Sequence, residues 1–144
     1  MKISDIISII AIMVSFASVI FQFIMENVRR KKEQKVVLYK ESFKTIFFDD
    51  IPLARQKIIY NGEKLTGLSD LRECMGKIRL KSYLYKYIDE NFQKDVFSQS
   101  QQLEDFLMNI EDAVLSNEKY LEKYRELESK LQKLYDTVIP KFVR

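Results

Sequence analysis

The stretch IISIIAIMVSFASVIFQFIM, residues Ile6 to Met25, decides how the rest of the chain is read. Twenty residues pass without a charge between Asp5 and Glu26. At the rise of an α-helix this is about 30 Å, the thickness of a bilayer's hydrocarbon core. Ser4, Ser8, Ala11, Ser15, Ser18 and Gln22 recur at steps of four and three, which sets them on one helical face among Ile, Val, Phe and Met. A lone helix in lipid gains nothing from such a stripe. A helix that packs against copies of itself, or lines a wet passage, does.

Several features mark the segment as a retained anchor rather than a cleaved signal peptide. Its apolar core runs the full membrane thickness, and it ends in Glu26-Asn27-Val28-Arg29-Arg30 with no small-residue cleavage site. Arg29, Arg30, Lys31, Lys32 and Lys35 follow it, against Lys2 and the free amine, offset by Asp5, on the other side. The positive-inside rule therefore predicts a single-pass protein of the cell inner membrane, with the N-terminus outside and the C-terminal domain cytoplasmic. The expected organisation is a transmembrane helix over 1–27, a basic juxtamembrane collar and helix extension over 28–48, and a helical bundle over 49–144.

No glycine or proline precedes Pro52, so the membrane helix is expected to run on into the cytoplasm as one rod to about Phe48, with Val36, Tyr39, Phe43 and Phe47 as its seam. Asp49-Asp50-Ile51-Pro52 reads as a stop and restart, Asp50 capping a short helix from Ile51 to Tyr60 with Leu53, Ala54, Ile58 and Ile59 as its apolar side. Asn61-Gly62 ends that helix, and a loop runs through Gly67.

A third helix starts near Ser69 with the stripe Leu71, Met75, Ile78, Ser82, Tyr85, Ile88 and Phe92; Gly76 within it suggests a close helix crossing. Asp95 is expected to cap a fourth helix, with Val96, Ser100, Leu103, Leu107, Ile110 and Val114 inward. Ser116 or Asn117 caps a fifth, with Tyr120, Tyr124, Leu127, Leu131, Leu134 and Val138 inward and Pro140 closing it. No hairpin dipeptide sits between alternating runs, so the fold class is all-α, an antiparallel bundle behind the membrane helix.

The 144 residues include no histidine and no tryptophan, and Cys74 is the single cysteine. There is no imidazole base, no histidine ligand for a metal and no intrachain disulfide. Three glycines do not build a phosphate-cradling loop. The carboxylate pairs Asp49–Asp50, Asp89–Glu90 and Glu111–Asp112 read as solvated helix faces, and Cys74 beside Met75 as buried and inert. The expectation is no enzyme, no cofactor and no metal. Tyr83, Tyr85 and Tyr87 interleave with Arg79, Lys81 and Lys86, a pattern that can stack and neutralise single strands. With a net charge of only +3, the better reading puts Tyr85 in the core and the others on its rim, making a nucleic-acid partner unlikely.

The plan of the chain, together with the membrane stripe, the Ile51-Pro52-Leu53-Ala54-Arg55 helix start and the run Ile78-Arg79-Leu80-Lys81 through Tyr87-Ile88-Asp89, resembles small single-pass bacterial antiphage-defence membrane proteins. These are the proteins that accompany type VI-B CRISPR RNA-targeting nucleases. The resemblance implies a divergent four-helix nuclease-like domain and a membrane pore that assists antiviral defence. That domain class carries an arginine followed closely by histidine; with no histidine here, RNA cutting does not carry over.

The expected function is a non-enzymatic membrane protein that homo-oligomerises through Ser8, Ala11, Ser15, Ser18 and Gln22 as a pore or membrane-perturbing effector. Asn27, Arg29, Arg30, Lys31 and Lys32 would lie at the pore mouth or among lipid headgroups. The alternative is a membrane-anchored helical adaptor that binds a protein partner through the cytoplasmic domain.

Overall fold

The computed structural model describes residues 3–143, with side chains from residue 7 onward. Helix α1 runs from Ile3 to Thr45, 43 residues or roughly 65 Å at the helical rise. It does not stop at Asp49–Pro52 as the sequence suggests. A π-helical turn, Ile46–Asp50, carries it directly into α2, Ile51–Gln56, so the helix is unbroken from Ile7 to Gln56.

The cause lies at Pro52, which has no N–H and whose ring would meet the Phe48 carbonyl in regular α-geometry. The wider turn moves the register by one residue: Ile51 N–H donates to the Ile46 carbonyl, five residues back. Asp50 keeps helical φ and ψ and caps nothing.

Helix α2 is shorter than expected, and a small antiparallel hairpin follows it. β1, Ile59–Tyr60, pairs with β2, Leu65–Thr66, in the register Ile59 to Thr66 and Tyr60 to Leu65. Asn61-Gly62, expected to end a helix, instead turns this hairpin. The Asn61 side-chain oxygen accepts from the N–H groups of Glu63 and Lys64 at 3.0 and 2.8 Å, and Gly62 takes a φ of +95°.

α3 spans Ser69–Ser82 and ends in a 3-10 turn, Tyr83–Tyr85. Leu68 rather than Ser69 occupies its N-cap, and it offers no side-chain bond. α4 starts at Glu90, not after Asp95, and reaches Glu111. Its cap is Asp89, whose side chain accepts from Phe92 N–H. α5, Asn117–Val138, is capped by Ser116 as expected, and a 3-10 turn, Ile139–Phe142, follows at Pro140.

Ion pairs and hydrogen bonds fix the helix directions. Arg72 meets Glu111 at 2.7 Å and Arg79 pairs with Glu104, so α3 and α4 run antiparallel. The Gln99–Thr137 bond and the position of Lys130 over the Phe106 ring do the same for α4 and α5. Tyr135 donates to the Phe47 carbonyl at 2.6 Å, while Arg55 pairs with Glu128 and Lys141 lies over Tyr39, so α5 is antiparallel to α1–α2.

The result is an all-α domain, an antiparallel bundle whose first member is the lower part of α1 continued into α2. Phe43, Phe47, Ile51, Leu71, Met75, Ile78, Tyr85, Val96, Leu103, Leu107, Leu127 and Leu134 form its dry centre. Each such side chain contributes roughly 1.5–3 kcal/mol by leaving water. Buried Ser82 and Ser100 donate to the carbonyls of Arg79 and Phe97, so neither carries an unmet donor.

A few expected core positions face water: Leu53, Ile59, Ile88, Tyr124 and Val114 are exposed. Gly76 marks no crossing, since a Cβ there would meet nothing within 4 Å.

Candidate functional site

Above the bundle, α1 stands free. Its side chains from Ile7 to Lys35 are exposed, including every large apolar residue from Ile7 to Val28. This is the one described helix long and apolar enough to cross a membrane, and its most apolar window has no buried residue. Water does not tolerate an uncovered apolar surface of that size on a soluble monomer.

Ser8, Ala11, Ser15, Ser18 and Gln22 all lie on α1 and are exposed, on one side by helical periodicity. Ala17, a further small residue of the segment, falls on the opposite side. The Ser4 side chain lies outside the described residues. Ser15 Oγ donates to the Ala11 carbonyl and Ser18 Oγ to the Val14 carbonyl, each at 2.9 Å. These back-bonds meet the hydroxyl donors inside the helix, so apolar surroundings impose no unmet-donor cost. The oxygens keep lone pairs for a donor on a second helix.

The collar is arranged with equal economy. Arg30 binds Glu26 at 2.7 Å and Arg29 binds Glu33 at 3.0 Å, both across one helical turn. Among the described residues, Lys31, Lys32 and Lys35 form no ion pair, and with Asn27 they are exposed. Two of the collar's five basic charges are thus tempered, and the lysines supply its outward positive field.

A second site, not visible in the sequence pattern, ties this helix to the domain. Tyr39 donates to Asp89 Oδ2 at 2.8 Å, and Lys141 Nζ donates to the same oxygen at 2.7 Å. The Lys141 ammonium also sits over the Tyr39 and Phe92 rings, 5.6 and 5.4 Å from their centroids. Tyr39 stacks on Tyr85 at 4.7 Å, and the Tyr85 hydroxyl donates to the Leu38 carbonyl at 2.9 Å. Burial works against the Asp89 charge, but the bonds from Lys141, Tyr39 and Phe92 N–H prevail and hold its carboxyl below the usual range. Burial, and then the adjacent carboxylate, drive the Tyr39 hydroxyl well above the ordinary tyrosine range.

Three of the other carboxylates singled out by spacing, Asp50, Glu90 and Glu111, stand in ion pairs. Asp50 lies 4.0 Å from Lys77 and Glu111 binds Arg72. Cys74 is buried, and burial raises its thiol pKa, which keeps it protonated and unreactive. Among the described residues no group of three or more His, Cys, Asp or Glu stands close enough to hold a metal ion. Tyr85 is core, while Tyr83 and Tyr87 are exposed beside it.

The chain has no significant match to a family model, to a curated protein or to a solved structure.

Proposed function

We propose that the protein is a non-enzymatic, single-pass membrane protein that homo-oligomerises through the Ser8–Ala11–Ser15–Ser18–Gln22 face and acts as a pore or membrane-perturbing effector. The observation that carries this reading is the wholly uncovered apolar length of α1, joined without a helical break to a folded bundle. Small side chains let two backbones approach closely, and dispersion between them replaces the hydrophobic effect that lipid does not provide. Where several copies enclose water, the same hydroxyl and amide groups line it, and Asn27 and the collar stand at its inner mouth. The collar's basic charge supports an inner-membrane orientation with the bundle in the cytoplasm. The resemblance to antiphage-defence membrane proteins supports a defensive setting. Carboxylates engaged with lysine and arginine, a buried thiol and the lack of histidine support a non-enzymatic role.

The test is the double variant Ser15→Leu/Ser18→Leu, extracted in detergent and reconstituted in dye-loaded vesicles. A smaller particle by light scattering and a loss of dye release are expected. Unchanged size together with unchanged release would overturn the reading.

A second reading, a membrane-anchored adaptor, draws on the end of the bundle that carries the hairpin and the α4–α5 loop. There Val114, Leu121 and Tyr124 are exposed around the start of α5, well placed for a protein partner.

A further inference from the structure

The antiparallel register says which end of the bundle looks toward the bilayer. α1 enters from the apolar segment, and its first buried contacts, at Tyr39, are with Tyr85, Phe92 and Lys141. The α3–α4 turn and the C-terminal 3-10 turn therefore form the membrane-side end. The hairpin and the α4–α5 loop form the far end, where Leu115 N–H donates to the Glu63 carbonyl at 2.7 Å.

The membrane-side turn is unusually apolar for its position. Tyr87 is 90% exposed and Leu84 58%, with Ile88 beside them and Val143 exposed near the chain's end. Lys86 reaches over the Tyr87 ring, 5.6 Å from its centroid. Among the described residues Lys81 and Lys86 form no ion pair. The nearby acids are occupied: Asp89 is bound by Lys141, and Glu90 by Lys94 at 2.6 Å. On α1 at this level, Lys40 and Lys44 outnumber Glu41.

From these facts we infer that the Tyr83–Ile88 turn is a second membrane contact, seating Leu84 and Tyr87 in the interface of an anionic bilayer with Lys81 and Lys86 on its phosphates. The inference rests on α1 being a membrane span. Tyrosine and lysine are the side chains suited to an interface, each with an apolar body and a polar tip. The apolar surface is a few side chains, far below what a stable protein interface buries, but enough for an interfacial anchor. Its basic surroundings complement anionic lipid and would repel the same turn of a second copy.

Reach is also adequate. From Met25 to Tyr39 the helix rises about 21 Å, of which the headgroup layer takes about 7 Å. Leaning toward the upper part of the 0–40° range found for spans lowers the turn, because the bundle lies to one side of α1, and local thinning of the bilayer matches the shortened span. Docking thus selects a leaning state.

The chain contains no tryptophan, so Tyr87→Trp creates a sole reporter in the full-length protein. In vesicles rich in anionic lipid, its emission should shift to the blue and be quenched by brominated acyl chains. Val114→Trp, at the far end, should be neither shifted nor quenched. Adding Lys81→Glu and Lys86→Glu to Tyr87→Trp should abolish the quenching, as should purely zwitterionic vesicles. An unquenched Tyr87→Trp alongside a strongly quenched Phe16→Trp overturns the inference and leaves the span intact. An unquenched Phe16→Trp overturns the span itself. A blue shift at position 87 without lipid quenching assigns the turn to a protein surface and also overturns the inference.

Discussion

Tyr39 and Asp89 meet through a 2.8 Å hydrogen bond that ties the helix descending from the apolar segment to the N-cap of α4. Lys141 closes the same carboxylate from the chain's last turn. Three distant parts of the sequence are thereby held at the end of the bundle from which the apolar helix emerges.

Tyr39→Phe removes a hydrogen bond to a charged acceptor and keeps the ring stacking. We expect a loss of about 1.5–3 kcal/mol in denaturant unfolding of the detergent-solubilised protein. Asp89→Ala should cost more, since it also removes the cap of α4 and leaves Lys141 without its partner.

Acid should weaken the same junction. The Asp89 carboxyl is held below its ordinary value, so its contribution is complete above the unfolded aspartate pKa of about 3.9 and is lost as pH falls through the lower folded value. Wild type should therefore lose thermal stability below about pH 4 more steeply than Asp89→Asn, measured by circular dichroism. For Tyr39 the sign reverses. Its raised pKa gives stability that is full below about pH 10 and is lost at higher pH, and Tyr39→Phe should blunt that loss.

The glycines should separate cleanly. Gly67 has a φ of +79°, and a Cβ there would collide with the Lys57 carbonyl, so Gly67→Ala should be the most damaging. At Gly62, φ is +95° but no atom lies within 4 Å, so alanine should cost only about 1–2 kcal/mol of backbone strain. Gly76 is helical and open, and Gly76→Ala should stabilise by about 0.8–1 kcal/mol. Melting temperatures of the three variants give the ranking.

Replacing residues 6–25 by a leucine–alanine span of equal length separates the two functional readings. A stripe-dependent effector should lose dye release while its bundle still melts cooperatively. Unaltered release from such a chimera would remove the stripe from the mechanism.

Most of the bundle was legible in the sequence because its seams are strictly periodic. Leu71, Met75 and Ile78 on α3, and Leu127, Leu131, Leu134 and Val138 on α5, are all buried as the spacing predicts. The α3–α4 boundary was not legible. Apolar steps of three and four continue from Ser82 through Tyr85 to Phe92, since the 3-10 turn keeps Tyr85 inward while the chain reverses.

The Asp50–Pro52 signal reads as a helix start because the local chemistry is that of one. Buried Ile46, Phe47 and Ile51 pack on both sides of it, and the helix widens by one residue instead of breaking. The Tyr39–Asp89–Lys141 junction spans separations of 50 and 52 residues, which no local pattern encodes. The stripe on α1 was the opposite case, since a free helix presents its periodicity directly.

The unbroken helix also sets a phase relation. With a fixed rotation per residue and no swivel between Gln22 and Tyr39, the small-residue face and the face that carries the bundle are only roughly a quarter turn apart. Copies meeting through the small-residue face would carry their bundles sideways, each against its neighbour around the common axis. Each bundle is about 20 Å across, twice the girth of a helix. Crowding among the domains, more than fit among the spans, would then decide how many chains can gather.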